Sequence, residues 1–511
     1  MMKMKSLRQI LNSTKRFIGT SLLVGALTVN FLTENVQSQD LESKVAAVSA
    51  QTAPEVEWDK TFGGPDNDSA YSVQQTSDKG YIVAGNIDRE GNSDFWLIKT
   101  DSNGNKEWDK TFGDSDRDYA RSVQQTSDGG YILAGYTQSF GAGGYDFWLI
   151  KTDLNGNKEW DKTFGGSESD KAYSVQQTLD EGYIVAGYTH SFGAGHSDFW
   201  LIKTDQNGNK VWDKTFGGSD NDYAYSVQQT SDKGYILAGD TKSFGAGGYD
   251  FWLIKTDQNG NKKWDKTFGG SNDDWTYSVQ QTSDKGYILA GHTKSFGAGN
   301  SDFWLIKTDS NGNKEWDKTF GGPEYDFALS VQQTSDKGYI LAGHTQSFGA
   351  GNYDAWLIKT DQKGNELWDK TFGGSKSDYA HSVQQTSDGG YILAGYTQSF
   401  GAGGRDLWLV KLKGNGVMVE EDQPKADSLL QNYPNPFNEA TTIQYNLPEN
   451  SKVSLDIYNL SGQKVKTLVD KVQEPGNYIV NFNANNLPSG IYFSRLKTQH
   501  GIKTEKMMLV K

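Results

Sequence analysis

Acidic residues in a fixed rhythm are the first chemistry the chain offers. One series is Asp68, Asp118, Asp170, Asp222, Asp274, Asp326 and Asp378, and a second is Asp94, Asp146, Asp198, Asp250, Asp302, Asp354 and Asp406. Carboxylates can accept backbone N–H groups and so pin a loop. They can also gather round calcium, which takes about six to eight oxygens. An acid in every copy of a repeat reads as a staple, because a catalytic centre needs residues that occur once. Calcium at the Asp68 series is the competing reading, and no other cofactor is expected. Loss of thermal stability on chelation would mark it. The turn Asp101-x-Asn-Gly-Asn recurs at Asp153, Asp205, Asp257, Asp309 and Asp361, with Lys363 replacing the Asn in the last, and also alternates oxygen side chains. Its Gly follows the second oxygen directly and no distal Glu is present, so a hairpin turn is expected. Gly141-Ala-Gly-Gly leads into a strand, which argues against a nucleotide loop.

A distinctive site must come from positions where the copies differ. Before each Ser-Val pair stand Tyr71, Arg121, Tyr173, Tyr225, Tyr277, Leu329 and His381; after each Ala-Gly stand Asn86, Tyr136, Tyr188, Asp240, His292, His344 and Tyr396. Near a funnel mouth such side chains could bind sugar rings by stacking and hydrogen bonding. The ligand candidates are therefore Tyr136, Tyr188, Asp240, His292, His344, Tyr396, Arg121 and His381, with packing between repeats as the alternative. Enzyme logic is weak. The six histidines are scattered and none recurs through all copies, so no catalytic residue is assigned.

These residues need a scaffold, and its period is plain. Trp-Asp-Lys-Thr-Phe-Gly starts at Trp58, Trp108, Trp160, Trp212, Trp264, Trp316 and Trp368, and a second tryptophan recurs in step from Trp96 to Trp408. A fixed period of this length signals a repeat architecture. Each unit holds four short β-prone runs, such as Ser-Val-Gln-Gln-Thr, Tyr-Ile-Leu-Ala-Gly, Phe-Trp-Leu-Ile-Lys-Thr and Glu-Trp-Asp-Lys-Thr-Phe, divided by Gly- and Asn-rich hairpin turns. Four antiparallel strands in this length make one propeller blade. The first unit begins with an orphan fourth strand, Glu57–Phe62, and the last lacks its fourth. The orphan completes the last blade and removes the open edge. The expected fold is all-β: a seven-bladed β-propeller over 55–412 with three-plus-one closure, followed by a small Ig-like β-sandwich. Strand order puts the fourth-to-first and second-to-third loops on one face. That face carries the most variable loops and is expected to be the working one. The repeats resemble WD-repeat and Kelch propellers. The Asp-x-Asn-Gly-Asn turn with its tryptophan resembles the tryptophan-docking repeats of quinoprotein-type propellers.

The flanks set the cell biology. Residues 1–38 carry Lys3, Lys5, Arg8, Lys15 and Arg16 before a short apolar run, Phe17 to Phe31, and read as a signal peptide ending near Ser38. Residues 39–54 and 413–428 read as linkers, and no transmembrane span is expected in the mature protein. The chain has no cysteine, which excludes disulfides and thiolate sites. Its net charge is −14, and the acid excess lies between the two termini. Nucleic acid is excluded as a partner, since that needs a basic footprint.

From Leu429 the repeat is gone. Tyr433-Pro434-Asn435-Pro436-Phe437 opens a new module, Val453, Leu455 and Ile457 alternate with polar residues, and Gly490-Ile-Tyr492 and Lys511 close it. The alternation predicts a small β-sandwich. Residues 429–511 resemble the type A C-terminal sorting domain of type IX secretion cargo. That resemblance implies delivery by the type IX machinery, through the periplasm, to the outer surface of a Gram-negative cell or beyond it. The expected role is a monomeric binding or scaffold protein whose propeller takes a glycan or protein ligand. A glycan lyase or hydrolase and a purely structural surface protein are the alternatives.

Overall fold

The computed structural model describes residues 52–89, 91–414, 428–429, 432, 437–447, 450–474, 476–498 and 501–511. The expected signal peptide, most of both linkers and Tyr433 to Pro436 lie outside the described residues.

The repeat runs become strands with the anticipated turns. In one unit, Asp118–Gln125, Tyr131–Thr137, Asp146–Thr152 and Lys158–Phe164 pair antiparallel in sequence order. The middle two are buried along their whole length and carry Ile, Leu, Phe and Trp on both faces, whereas the fourth is half-buried. Seven four-stranded sheets of this kind occur among the described residues, and no helix does. In the seventh sheet the N-terminal strand Val56–Phe62 pairs with Asp406–Leu412 as fourth strand. The propeller and its three-plus-one closure follow from this topology.

Adjacent blades lock through aromatic knobs. Phe95 meets Trp148 of the next blade at 4.8 Å between ring centroids, and Phe147 meets Trp200 at the same distance. Each such tryptophan keeps its indole N–H satisfied, as Trp148 does by donating to Asp161 Oδ2 at 3.0 Å. The other tryptophan of the motif docks on the following blade's turn. Gly156 has φ +76°, and a Cβ there would stand 2.5 Å from the Trp108 ring. Its turn is an Asp cap, with Asp153 Oδ1 accepting the N–H groups of Asn155 and Asn157 at 2.8 Å. The left-handed backbone and the ring overhead both require glycine. Gly156→Ala should therefore cost about 1–3 kcal/mol in a denaturation experiment. A loss no larger than that of an exposed Ser→Ala change would refute the docking.

The innermost strands cannot pair edge to edge, so side chains bridge them. Val123 N–H donates to Ser72 Oγ at 3.2 Å, Gln125 N–H to Gln74 Oε1 at 2.6 Å, and Ser127 N–H to Gln177 Oε1 at 2.8 Å. Each bond recurs at all seven junctions, including the one that closes the ring, where Val73, Gln75 and Ser387 donate to Ser382, Gln384 and Gln75.

The C-terminal module is a two-sheet sandwich. Ser428–Leu429, Ala440–Leu447 and Gly476–Asn483 form one sheet; Ser451–Asn459, Lys464–Gln473, Gly490–Thr498 and Gly501–Leu509 form the other. Ile443, Tyr445 and Phe482 from the first pack on Val453, Leu455, Ile457 and Leu496 from the second. Phe437 is bound to the last strand, donating its N–H to Met508 O and accepting from Val510 N–H, both at 2.9 Å.

Candidate functional site

The two aspartate series meet at every blade. Asp170 is buried and saturated: its Oδ2 accepts Gly166 N–H at 2.9 Å and Ser191 Oγ–H at 2.7 Å, and its Oδ1 takes the Thr189 hydroxyl. The same staple recurs at Asp222, Asp274, Asp326 and Asp378. Asp68 and Asp118 accept the backbone N–H groups of Gly64 and Asp114. The second series is less well served. Asp146 Oδ2 accepts Ala142 N–H at 2.6 Å, but its buried Oδ1 has no hydrogen-bond partner among the described residues. The same oxygen is unpaired in Asp94, Asp198 and Asp250. A Cβ on Gly165 would collide with Asp146 Oδ1 and stand 2.9 Å from Asp170 Oδ2, so the two carboxylates close on one glycine. Burial raises the Asp146 pKa to about 6; the Ala142 hydrogen bond opposes this and the charge of Asp170 adds to it. No group of three His, Asp or Glu placed to hold a metal occurs among the described residues.

The eight ligand candidates converge, but beneath the loops and not at an open mouth. Tyr136, Tyr188, Asp240, His292, His344 and Tyr396 are all buried, with Asp240 1% exposed. The other variable position is a β-bulge. In each innermost strand the register shifts across it, between Ala120 and Ser122 around Arg121 and likewise around His381. A bulge frees its residue from the ladder and re-aims it. Joined by neighbouring aromatics such as Tyr379 and Phe327, which bridges His292 and His344 at 4.3 and 5.1 Å, the two positions form a belt round the ring. Tyr173 meets Tyr225 at 5.0 Å, Tyr225 meets Tyr277 at 5.2 Å, Tyr277 meets His292 at 5.7 Å, and His344 meets Tyr379 at 4.1 Å. The belt closes as Tyr379 meets Tyr396 at 4.7 Å, Tyr396 meets His381 at 5.7 Å and His381 meets Tyr71 at 4.8 Å.

Charge inside the belt is held by aromatics. The Arg121 guanidinium lies 4.0 Å from the Tyr71 ring centre and donates to Tyr136 Oη at 2.6 Å. Burial opposes its charge, yet Tyr71, Tyr136 and Tyr173 hold its pKa above the usual value. Burial keeps His292 and His381 neutral, each with its pKa pushed down to about 3, and lowers that of His344 as well. Burial also pushes the Asp240 carboxyl well above the carboxylate range, against one hydrogen bond from Thr276 N–H at 2.6 Å. Trp275, the one tryptophan outside the repeat, belongs to the same belt at 5.8 Å from His292.

A recurrent residue that the motif reading passed over stands above the belt. In the Ser-Phe-Gly-Ala-Gly loops Phe140, Phe192, Phe244, Phe296, Phe348 and Phe400 are 37–44% exposed. Each lies on the tryptophan of its own third strand, as Phe192 does on Trp200 at 5.1 Å. The signal was in the sequence: a large apolar residue kept in six loops that otherwise hold small or polar residues. The first blade departs, with Tyr81–Arg89 and Asn92–Thr100 extended in place of that loop.

Family and structure comparisons bear on the two parts differently. Residues 431–511 match the family described as "Secretion system C-terminal sorting domain". This stretch is that sorting domain. Its resemblance to type IX cargo, read from the motifs, stands, and the domain marks the chain as cargo for export. Its motif residues have visible structural duties: Tyr492 is buried and donates to Pro488 O at 2.8 Å, and Lys511 Nζ donates to Asn485 O at 2.6 Å. No curated protein matches the chain significantly. Among solved structures it is similar to PorZ, described as an essential bacterial surface component of the type-IX secretion system of Porphyromonas gingivalis. Identity there is 11% and the TM-score 0.39, over 88% of this chain and 60% of that one. It is also similar to Sqt1 from Chaetomium thermophilum, at 12% identity and TM-score 0.40 over 85% of this chain and 99% of that one. A puromycin hydrolase is similar at 10% identity and TM-score 0.44, over 74% of this chain and 58% of that one. Likeness at these scores carries no argument about activity or partners.

Proposed function

We propose that the chain is an exported surface binding protein whose propeller recognises a glycan through the face bearing the six loop phenylalanines. The half-exposed phenylalanine ring carries this reading. Single exposed apolar residues are ordinary on a protein surface, but six equivalent ones on one face are not. Each is braced against a buried tryptophan, the two rings tilted by 45–50°, so it offers a fixed apolar plate to a sugar ring at little entropic cost. Six equivalent weak plates also suit a repeating polymer, because linked contacts add through effective concentration. The belt beneath and the variable fourth-to-first loops supply that face's departures from repetition. The proposed route is the one implied by the sorting domain: a signal peptide to the periplasm, then the type IX machinery to the outer surface. No catalytic residue is proposed, because near-identical blades present no singular arrangement of nucleophile, acid and base at the surface.

Affinity electrophoresis of the full chain, through gels loaded with different polysaccharides with and without calcium, tests the reading. One polymer should retard the wild type, and the triple variant Phe192→Ser, Phe296→Ser, Phe400→Ser should bind it at least about tenfold more weakly. Unretarded migration in every gel, or equal retardation of the variant, would remove the phenylalanine face as a glycan site.

A further inference from the structure

The opposite end of the propeller axis holds a second constellation that the reading above does not use. There the seven innermost strands surround a cavity of about 260 Å³, lined in every blade by one Val and the Gln after it, from Val73 and Gln74 to Val383 and Gln384. These glutamines are the ones that staple neighbouring blades. Each gives its Oε1 to the backbone N–H of the next blade's second glutamine, at 2.6 Å in all seven cases. A backbone N–H only donates, so the orientation of each amide is fixed: oxygen to the backbone, Nε2 elsewhere. An amide nitrogen carries two donors and no acceptor. No hydrogen bond from these seven Nε2 groups to a described residue is present, and all seven side chains are half-buried on the cavity wall. The axis therefore collects donors whose matching acceptors are already taken.

The rim favours the same sign. At the crest of the first-to-second turns stand Lys79, Lys233, Lys285 and Lys337, all exposed at φ 66–71°, against a single acid, Glu181. The remaining carboxylates of these turns are engaged by buried lysines, as Asp128 is by Lys151 and Asp284 by Lys307, at 2.8 and 2.9 Å. Four of the buried lysines also bind a glutamate, Glu57, Glu107, Glu159 or Glu315, so the free positive charge at this mouth is that of the four crest lysines, set round the axial amide donors. Charge-assisted hydrogen bonds from several fixed donors are the standard means of holding an anion.

We propose that this axial mouth binds one oxyanion, a sulfate or carboxylate group, through the Nε2 donors of the Gln74 series. The proposal is independent of the glycan face, since it involves other residues at the other end of the axis. One ion per chain is expected despite the sevenfold repetition, because the donors converge on a single axis.

Calorimetric titration of the full chain with sodium sulfate, at ionic strength held constant with chloride, provides the test. A parallel arm with dextran sulfate and neutral dextran distinguishes a free ion from a group carried on a polymer. Uptake of one sulfate per chain is expected below about 10 mM. The decisive variant is Gln124→Glu, Gln228→Glu, Gln332→Glu. A glutamate oxygen still accepts the neighbouring backbone N–H, so the staples remain, but the inward donors become acceptors. Its thermal midpoint should stay close to wild type while sulfate binding falls at least about tenfold. The single Gln228→Glu variant supplies the comparison if the triple one folds poorly. Uptake of neither sulfate nor dextran sulfate by the wild type, a sulfate stoichiometry well above one, or equal uptake by a folded Glu variant would each overturn the proposal. Binding of dextran sulfate but not sulfate would identify a polymer-borne group as the ligand, provided the Glu variant loses it.

Discussion

A chain lacking residues 52–62 should lose its folded propeller, as aggregation in size-exclusion chromatography and disappearance of the main calorimetric transition. The N-terminal strand is short, but it closes the ring. It pairs along Asp406–Leu412, from Phe62 opposite Leu407 to Val56 opposite Leu412. Trp58 lies against Gly104 of the first blade, and Trp58 and Phe62 pack on the cluster formed by Ile392, Leu407 and Leu409 with Val83 and Trp96. The buried Lys411 loses Glu57, its partner at 3.2 Å, and the Trp408 indole loses Asp59. Removing a fully buried large aromatic costs about 3–5 kcal/mol, and Trp58 and Phe62 are each partly buried. Losing both, with a strand of ladder bonds, is a large share of a domain's whole stability, about 5–15 kcal/mol. The deletion also uncovers Leu407, Trp408, Leu409 and Val410 as a long apolar edge, which is a template for pairing with other chains. Restoring the same segment in trans, as a peptide spanning 55–63, should recover part of the transition. A truncated chain that stays monomeric and unfolds within a few degrees of wild type would mean that the closure contributes little.

The closure was legible because it depends on counting: an orphan fourth strand at one end and a missing one at the other. The blades were legible for a related reason. Fixed turn chemistry and β-prone runs repeated seven times leave little freedom of assignment, and the sorting domain announced itself through the Tyr433 to Phe437 opening and Tyr492. The environment of single positions was not legible. Arg121 and His381 sit in a strand that reads Ser-Val-Gln-Gln, and nothing local reports the bulge that turns them into a belt. Tyr136 and His344 follow Ala-Gly near a loop, where a polar aromatic residue reads as exposed; burial comes from the neighbouring blade, which no local pattern encodes. The glutamines after Ser-Val read as polar filler, yet they tie the ring together, because their partners lie about fifty residues away and recur with the same period as everything else.

Replacing Asp94, Asp146, Asp198 and Asp250 by Asn together should stabilise the protein at pH 7.5 and have little effect at pH 4. Each of these carboxylates has one oxygen that accepts no hydrogen bond, and at Gly165 that oxygen faces the carboxylate of Asp170. Burial raises the pKa of all four, and in each case the facing aspartate of the first series adds to the rise. A carboxyl whose folded pKa is raised binds its proton more tightly in the folded state. Its contribution to stability is present below the unfolded pKa, near 3.9, and is lost as pH climbs through the folded value, about 6 for Asp146. At neutral pH Asp146 therefore carries a charge that burial and the neighbouring Asp170 both oppose. Asparagine keeps one oxygen for the Ala142 N–H and removes the charge that faces Asp170. The gain is on the order of 1 kcal/mol per junction, close to additive because the junctions are separate. The buried His292, His344 and His381 act oppositely, favouring the folded state as pH rises through their unfolded value near 6.5, but they are common to both proteins and cancel in the difference. Carboxylates with lowered pKa, such as Asp101 and Asp128, lose their contribution only below about pH 4 and cancel likewise. The measurement is the pair of denaturation curves at each pH, with and without chelator. Loss of stability on substitution at pH 7.5, together with a wild type that chelator weakens, would mean that calcium bridges these carboxylates and would reverse the sign of the whole account.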